Sequence, residues 1–218
     1  MRQDRSSGLL NISLLGSFLQ KWLLPRLGDF YQKHPEVDLR FNASRELVDF
    51  MQTDFHAAVR YGTGNWAQLH AEKMLDDWVF PVTSPALLAK LGRIDTLLDL
   101  NKYPLLHSSS EPWIEWLRRV GGDTMRAERG PVLDDSASVL AAAEQGHGLA
   151  LARWSLVAGD LAAGRLVRPS GQSVRQRNSY YFVAPSHHFE LPKVIRFRDW
   201  LREVCSQFPP PEGERLEP

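Results

Sequence analysis

Short apolar strand segments alternate with helix-spaced apolar residues in the first part of the chain. The segments Leu9–Leu15, Val37–Phe41 and Phe55–Tyr61 have the apolar character of buried or half-buried strands. Between them, the apolar residues of Trp22–Tyr31 recur at helical spacing, and the segment Arg45–Gln52 follows a serine that can cap a helix. This strand–helix–strand order predicts an α/β fold with a parallel sheet and right-handed crossovers. In such sheets, ligands bind beyond the carboxyl ends of the strands.

Pro25 limits where the first of these helices can begin. A proline inside a helix removes one hydrogen bond, and its ring clashes with the preceding turn. We therefore expect Pro25 to lie in the first turn of the helix, which ends at His34 and Pro35.

The same order of elements starts again after a long extended stretch, Ala71–Thr83. The predicted strands of this second unit are Leu105–His107, Val132–Leu133, Leu149–Ala152 and Leu166–Val167. Three helices are predicted in it: the first covers Ala86–Leu91, the second has Pro112 in its first turn, and the third is capped by Asp134–Ser136. Two extended segments, Trp78–Thr83 and Tyr181–Pro185, join the units, and a last helix covers Pro192–Gln207. The sequence thus predicts two Rossmann-like lobes joined by two crossover strands.

We expect lobe I to comprise residues 8–80 and 185–208, and lobe II to comprise residues 81–184. The cleft between two such lobes would be the natural ligand site. The tail, residues 209–218, is rich in proline and charge and is predicted to be disordered.

Charge and cysteine content exclude several classes of function. Lys and Arg together number 26, as do Asp and Glu, so the formal net charge is zero. A protein that grips a phosphate backbone usually has a basic excess, so DNA binding by these residues alone is not expected. The single cysteine, Cys205, allows no internal disulfide or cysteine-based metal site, and we interpret it as an inert thiol in the amphipathic last helix.

The sequence shows no secretory signal and no apolar run near the roughly 20 residues that span a bilayer, so we expect a cytoplasmic protein without membrane contact.

Four loops place small polar residues after a strand, at or near the start of a helix. They are Gly16–Ser17, Ala43–Arg45, Ser108–Ser110 and Asp134–Ser136. The free backbone N–H groups at a helix N-terminus suit a carboxylate or a phosphate, although each of these residues is also an ordinary helix cap. Because all four loops lie at the same end of the predicted strands, we expect them to border a ligand site.

Arg60 lies at the end of the third predicted strand, on the side where ligands bind. Its guanidinium could pair bidentately with a carboxylate, or it could form an ordinary ion pair with a nearby Asp or Glu. Together with Arg45, it favours an anionic ligand. The pair Asp134 and Asp135 would instead accept hydrogen bonds from a hydroxyl, amide or ammonium group.

Catalysis and metal binding are not indicated by the motifs. His107, Asp135 and Ser136 could be imagined as a catalytic triad, but the Gly-x-Ser-x-Gly elbow is absent from the sequence. The histidines do not have His-Glu-x-x-His spacing, and the sequence contains neither a dinucleotide-binding glycine motif nor a phosphate-binding loop. We therefore expect no catalytic residue, no metal and no cofactor.

Ordered motifs run through most of the chain. They are Gly16–Phe18, Leu23–Leu27, His34–Pro35, Ala57–Trp66, Pro81–Pro85, Asp135–Ser136, Ala141–Leu151, Asp160–Val167 and Tyr180–Val183. Their order and spacing resemble the effector-binding domain of LysR-type transcriptional regulators. Within that family, they are most similar to the branch that contains the glycine-cleavage activator and the β-lactamase regulator. The resemblance covers about Gly8 to Cys205.

The resemblance implies a fold like the type 2 periplasmic binding proteins, a small-molecule effector in the interlobe cleft, and a homodimer or homotetramer. By resemblance, the residues that face the effector are Ser17, Phe18, Ser44, Arg45, Arg60, Gly62, His107, Ser108, Asp135 and Ser136. These residues agree with the loops that the strand and helix pattern selects, and we expect the effector to be anionic.

Family members also carry an N-terminal winged helix-turn-helix and a linker helix, and this sequence contains no counterpart of them beyond residues 1–7, which resemble the end of the linker. DNA would then be bound only through that missing N-terminal domain, while this chain senses the effector and oligomerises. The alternative is a periplasmic solute-binding receptor of a transport system. It shares the architecture but requires a signal peptide or a lipid-anchor cysteine in the natural gene.

Overall fold

The computed structural model describes residues 8–124 and 130–214. In chain order, the strands are β1 (Gly8–Leu14), β2 (Val37–Ala43), β3 (Ala57–Gly62), β4 (His70–Leu75), β5 (Trp78–Val82), β6 (Leu105–Ser108), β7 (Val132–Leu133), β8 (Leu149–Arg153), β9 (Val174–Arg175) and β10 (Ser179–Ala184). The α-helices are α1 (Gly16–Phe18), α2 (Leu27–Lys33), α3 (Pro85–Leu91), α4 (Trp113–Val120), α5 (Ser136–Glu144), α6 (Trp154–Ala162), α7 (Ser186–Phe189) and α8 (Pro192–Ser206).

The strands form two five-stranded sheets with matching organisation. The first has the order β2-β1-β3-β10-β4 and the second has the order β7-β6-β8-β5-β9. In the first sheet, β1 pairs in parallel with β2 and β3, and β10 runs antiparallel to β3 and β4. In the second, β6 pairs in parallel with β7 and β8, and β5 runs antiparallel to β8 and β9. The predicted parallel pairing of the first three strands is confirmed, and the antiparallel strands β10 and β5 make both sheets mixed.

Each sheet belongs to its own compact unit. The first unit ends at Asp76, resumes at Arg177 and ends at Pro210, whereas the second comprises Asp77–Gln176 and the chain from Pro211 onward. These limits differ from the predicted lobes, 8–80 with 185–208 and 81–184, because β5 lies wholly in the second sheet and β10 in the first. The apolar pattern of a strand shows that it is buried but not which sheet it joins.

The first helical stretch begins earlier than predicted. It runs from Gly16 to Lys33, with a π-helical part at Leu19–Leu23 and a 3-10 turn at Leu24–Arg26 between α1 and α2. Pro25 therefore lies in the middle of the whole stretch, at the start of its short 3-10 turn. A proline lacks the N–H that an α-helix needs, and the change of hydrogen-bonding pattern on either side accommodates it.

The segment predicted as the second helix, Arg45–Gln52, contains bends and turns instead of a helix. Two of its backbone N–H groups donate to side chains: the Ser44 hydroxyl accepts from the N–H of Glu46 at 3.1 Å, and the Asp49 carboxylate accepts from the N–H of Met51 at 2.9 Å. Serine and aspartate side chains compete in this way with the bonds that a helix would make.

The core of each unit lies between its sheet and its helices. In the first unit, the α8 residue Phe197 is fully buried against Phe30 of α2, with ring centroids 5.4 Å apart. In the second, Trp113 and Trp116 of α4 are buried, and their indole N–H groups donate to Leu106 and Val79 carbonyls at 2.8 and 3.2 Å. Each ring thus adds burial while its polar atom stays satisfied.

Three further expectations concern the last helix and the ends of the chain. Cys205 is buried in α8, and burial raises the pKa of its thiol, as expected for an inert cysteine. The predicted disordered tail is described as far as Glu214 and includes the buried Pro211. Its last residues, 215–218, and the predicted linker remnant, residues 1–7, lie outside the described residues. Among the described helices, none has the length and apolarity that a membrane span requires.

Candidate functional site

The predicted residues of the first unit gather at the carboxyl ends of β1, β2 and β3. Leu14 is the register partner of both Ala43 and Val59, so the residues that follow these three strands share one edge of the sheet. Ser17 and Phe18 follow β1, and both are buried. The Phe18 ring stacks on Trp22, with centroids 5.0 Å apart, so this predicted site residue packs in the aromatic core.

Arg60 is held by neutral acceptors of the same unit. One guanidinium nitrogen, Nη1, donates to the Ser44 carbonyl at 3.1 Å, and Nη2 donates to the Glu46 carbonyl and the Ser13 hydroxyl, both at 2.7 Å. The side chain is only 5% exposed, and this desolvation lowers the pKa of Arg60. The guanidinium therefore fixes the loop after β2, which neither the carboxylate-pairing nor the ion-pair interpretation anticipated.

The other predicted residues of this unit surround that loop. The backbone N–H of Ser44 donates to the Leu14 carbonyl at 2.9 Å, and Arg45 beside it is exposed. Gly62 ends β3 under the ring of Trp66, and a Cβ atom placed there would come within 3.0 Å of that ring. The loop and the glycine turn thus place polar and aromatic groups beside the carboxyl end of the sheet.

The second unit repeats this arrangement. His107 and Ser108 of β6 are the register partners of Val132 and Leu133, so the predicted residues Asp135 and Ser136, which follow β7, come to the same edge. Asp135 is the N-cap of α5, and its carboxylate accepts from the N–H groups of Ala137 and Ser138 at 3.1 and 3.0 Å. The helix-capping interpretation is thus confirmed for Asp135.

Ser108 and Ser136 use their hydroxyls within the unit. The Ser108 hydroxyl accepts from the N–H of Ser110 at 3.0 Å. The Ser136 hydroxyl donates to Glu111, with 2.9 Å to Oε2, and accepts from Arg153 Nη2 at 3.0 Å. Ser136 therefore belongs to a buried polar network. Its hydroxyl already has two partners, so a ligand that bound it would have to share the hydroxyl with Glu111 and Arg153.

Sequence reasoning missed the centre of that network. Arg153 Nε lies 2.6 Å from Glu111 Oε1, and the two side chains are 3% and 2% exposed. Burial raises the pKa of nearby Asp77 to about 6, although the charge of Arg153 and hydrogen bonds from Ser155 and the Trp78 N–H oppose that rise. The signal was present in the sequence, because Arg153 directly follows the predicted strand Leu149–Ala152, as Arg60 lies next to the end of its own predicted strand.

Arg60 and Arg153 occupy equivalent places in the two sheets. Arg60 lies in β3, between β1 and the antiparallel β10, and Arg153 lies in β8, between β6 and the antiparallel β5. Each binds groups that follow or belong to the neighbouring parallel strands. The two arginines differ in their partners. Arg153 forms an ion pair with Glu111, whereas the hydrogen-bond acceptors observed for Arg60 are neutral.

Comparison with known proteins identifies the family. The model of the LysR substrate binding domain matches residues 3–206 of this chain. The chain belongs to that family. Its matching pair of mixed sheets is the type 2 periplasmic-binding-protein-like fold of LysR effector-binding domains, so the predicted family and fold class are confirmed.

Several relatives of this LysR-type domain are closely similar. The glycine cleavage system transcriptional activator of Escherichia coli (strain K12) is 38% identical over 201 residues, which cover 91% of this chain and 66% of that protein. The effector domain of the regulator AmpR of Pseudomonas aeruginosa is 31% identical with a TM-score of 0.78, covering 92% of this chain and 96% of that one. The AmpR effector binding domain from Citrobacter freundii is 28% identical with a TM-score of 0.80, covering 93% of this chain and 100% of that one.

These relatives are transcriptional regulators, so the LysR-type domain is not an enzyme, and a transport receptor is not favoured. The chain spans slightly less than two thirds of the length of the E. coli activator. The structure brings the predicted residues of each unit to one edge of its sheet. Their contact with an effector stays a prediction.

Proposed function

We propose that this LysR-type domain binds a small-molecule effector through polar residues at the carboxyl edges of its sheets, and that binding controls transcription by a longer protein. The main support is the repeated organisation of the two units. The predicted residues lie at or just after the carboxyl ends of parallel strands, namely β1, β2 and β3 in the first unit and β6 and β7 in the second. Ligands bind at such strand ends in open α/β sheets. Contact with DNA would belong to the part of the relatives that this chain does not span, in agreement with its zero formal net charge.

We propose further that the effector is anionic and that its negative group binds at the edge of the first unit. Arg60 places a buried positive charge there with neutral hydrogen-bond acceptors, and Arg45 adds an exposed one. A buried charge interacts more strongly with a ligand than an exposed charge, because water screens it less. The second unit offers a hydroxyl and carboxylate environment, which suits a hydroxyl, amide or ammonium group.

Assembly and location complete the proposal. We propose that the domain forms a homodimer or homotetramer in the cytoplasm, where a regulator of transcription meets DNA. Light scattering coupled to gel filtration would measure the assembly, and a monomer at high protein concentration would contradict it.

A thermal-shift screen followed by calorimetry tests effector binding. The compounds are glycine and other amino acids, organic acids and cell-wall muropeptides; glycine heads the panel because one relative is named for the glycine cleavage system. The absence of any stabilising compound would count against the proposal.

The variant Arg45→Ala tests the location of the anionic group. We expect it to weaken binding of an anionic compound about tenfold, since a lost hydrogen bond to a charged group costs about 1.5–3 kcal/mol. The matched control is Arg40→Ala, which removes the same charge from an exposed position of β2. Equal affinities of the two variants would remove Arg45 from the site.

A further inference from the structure

The imidazole of His56 completes the hydrogen bonding between β1 and β3. The His56 N–H donates to the Asn11 carbonyl at 2.9 Å, and the register pairs Ile12 with Ala57 at the next position. In a regular parallel pair, the N–H of Asn11 would continue the ladder to the carbonyl of Asp54. Here it donates to Nδ1 of the His56 ring at 3.1 Å. A side chain therefore replaces a backbone acceptor at the amino end of β3.

The carbonyl that the ring replaces accepts from a different donor. The Asn11 side-chain nitrogen, Nδ2, donates to the Asp54 carbonyl at 3.2 Å and to Asp54 Oδ2 at 2.8 Å. Asn11 is only 3% exposed, and a buried backbone N–H that loses its acceptor destabilises the fold. The backbone N–H of Asn11 therefore depends on the His56 ring.

This contact requires a neutral His56. Only a ring nitrogen without a proton can accept from an N–H, so the neutral ring carries its proton on Nε2. A second proton can bind only at Nδ1, where it would face the Asn11 N–H. Protonation therefore removes the hydrogen bond and places two donors against each other.

A second histidine beside His56 makes a contact that tolerates protonation. His188 of α7 places its Nδ1 3.0 Å from the His56 carbonyl, and the two ring centroids are 5.8 Å apart. Because a carbonyl can only accept, the neutral His188 ring carries its proton on Nδ1, and a second proton binds at Nε2 without removing this bond. The pair therefore combines one pH-sensitive contact with one that is insensitive.

The surroundings of His56 favour the neutral ring. Burial lowers the pKa of His56 below its ordinary value of 6.5, the charges of Lys193 and His188 lower it further, and the charge of Asp54 opposes them. Lys193 of α8 is fixed, because its Nζ donates to the Leu9 carbonyl of β1 at 2.7 Å. The folded chain thus binds this proton less readily than the unfolded chain. The stabilising contribution is therefore complete above pH 6.5 and is lost as the pH falls below that value.

His56 also lies at the end of a segment that begins at the opposite edge of the same sheet. Arg60 holds two carbonyls near the start of this segment, at the carboxyl end of β2. The chain then passes through bends and turns to Asp54, which accepts from Asn11. The segment is therefore held at both edges of the sheet, and the hold at the amino edge includes a group that titrates near neutral pH.

We propose that the Asn11–His56 hydrogen bond makes the first unit sensitive to acid, because protonation of His56 loosens the amino end of β3 and one end of the segment 44–56. The loop that carries Arg45 then keeps its anchor on Arg60 while its other anchor weakens. Acid would in this way alter effector binding at the carboxyl edge. That consequence rests on the proposed function, but the acid-sensitive contact does not.

Nuclear magnetic resonance of the effector-free wild type tests the protonation state. The nitrogen shifts of the imidazole rings report both tautomer and titration. At about pH 7.5 we expect His56 to carry its proton on Nε2 and His188 to carry its proton on Nδ1. We expect His56 to titrate below pH 6.5. A neutral His56 with its proton on Nδ1, or titration above that value, would overturn the proposal without the need for any variant.

Amide hydrogen exchange tests the structural consequence. Between about pH 7.5 and about pH 5.5, we expect exchange of Asn11 and residues 54–57, relative to the intrinsic rate at each pH, to accelerate about threefold to tenfold. His56→Asn should abolish this acceleration, since an amide oxygen can accept from Asn11 but does not titrate. The matched control is His187→Asn, which replaces an exposed histidine of α7 and should keep the acceleration.

Two results of the exchange experiment would overturn the proposal. One is an absence of acceleration in the wild type, and the other is an equal acceleration in His56→Asn. Because no effector is used, these results are independent of whether the effector proposal holds.

Discussion

Two buried arginines show how residues of one type take different roles at equivalent strand ends. Arg153 is neutralised by Glu111, whereas Arg60 holds the carbonyls of Ser44 and Glu46. The sequence predicted that an arginine lies at the carboxyl end of β3, and that prediction is confirmed. It could not predict the partners, because they come from loops whose path depends on the rest of the fold.

Replacement of Arg60 separates a structural role from a purely ligand-binding one. From the structure, we expect Arg60→Ala to lower the free energy of unfolding by about 2–3 kcal/mol, because it removes the donor that serves the buried Ser13 hydroxyl and two partly buried carbonyls. A residue that only contacts ligand would leave this energy unchanged. Urea denaturation measures it, with the exposed Arg40→Ala as the control, which should stay within about 0.5 kcal/mol of wild type. Equal stabilities of the two variants would contradict the role assigned to Arg60.

Asp77 makes the stability of the second unit depend on pH. Burial raises the pKa of Asp77 from 3.8 to about 6 in the folded chain. Folding therefore favours the protonated acid, so its stabilising contribution is complete below about pH 4 and is lost as the pH rises through 6. The difference is at most about 3 kcal/mol.

The variant Asp77→Asn isolates this contribution. We expect the unfolding free energy of wild type, relative to Asp77→Asn, to fall between pH 4 and pH 6 and to become constant above it. The measurement is urea denaturation at a series of pH values. A wild-type-to-variant difference that does not change with pH would show that Asp77 keeps an ordinary pKa.

At the scale of elements, sequence reasoning succeeded where local signals decide the structure. Asp135 caps the start of α5, as the sequence predicted. Gly146 follows the end of this helix with a φ of 77°, a conformation that suits glycine. The segment Arg45–Gln52 has a similar serine before it but forms turns, because Arg60 takes two carbonyls that a helix would use. The position of Pro25 was predicted less well, because a 3-10 turn accommodates this proline within a longer helical stretch.

The start of α5 offers a test of its cap. We expect Asp135→Ala to lower the unfolding free energy by about 1 kcal/mol, because the carboxylate accepts from two N–H groups of the first turn. Asp135→Asn should recover most of the loss, since an amide oxygen can also accept these bonds. Thermal denaturation at constant pH compares the variants. If Asp135→Ala is as stable as wild type, the carboxylate is available for another purpose, such as binding a ligand.

At the scale of the whole molecule, the two units differ in how the chain builds them. The second sheet comes entirely from Asp77–Gln176, whereas the first needs β10, which follows that segment and lies between β3 and β4. Sequence patterns found both units but placed the crossings a few residues too late. They could not assign β10, because the same apolar strand could have completed either sheet.

This difference predicts how fragments behave. A fragment of residues 77–176 contains every strand of its sheet, so we expect it to unfold cooperatively in urea, at a lower midpoint than in the full chain because the contacts of Pro211–Glu214 are missing. A fragment ending at Asp76 lacks β10, which leaves one edge of β3 unpaired and β4 without a strand partner, and it also lacks α8, which contacts β4. It should show no cooperative transition until a peptide covering residues 177–210 is added. Cooperative unfolding of residues 8–76 alone would show that β10 is an addition to a sheet that is already stable. The first unit would then fold without the chain that follows the second unit, contrary to this prediction.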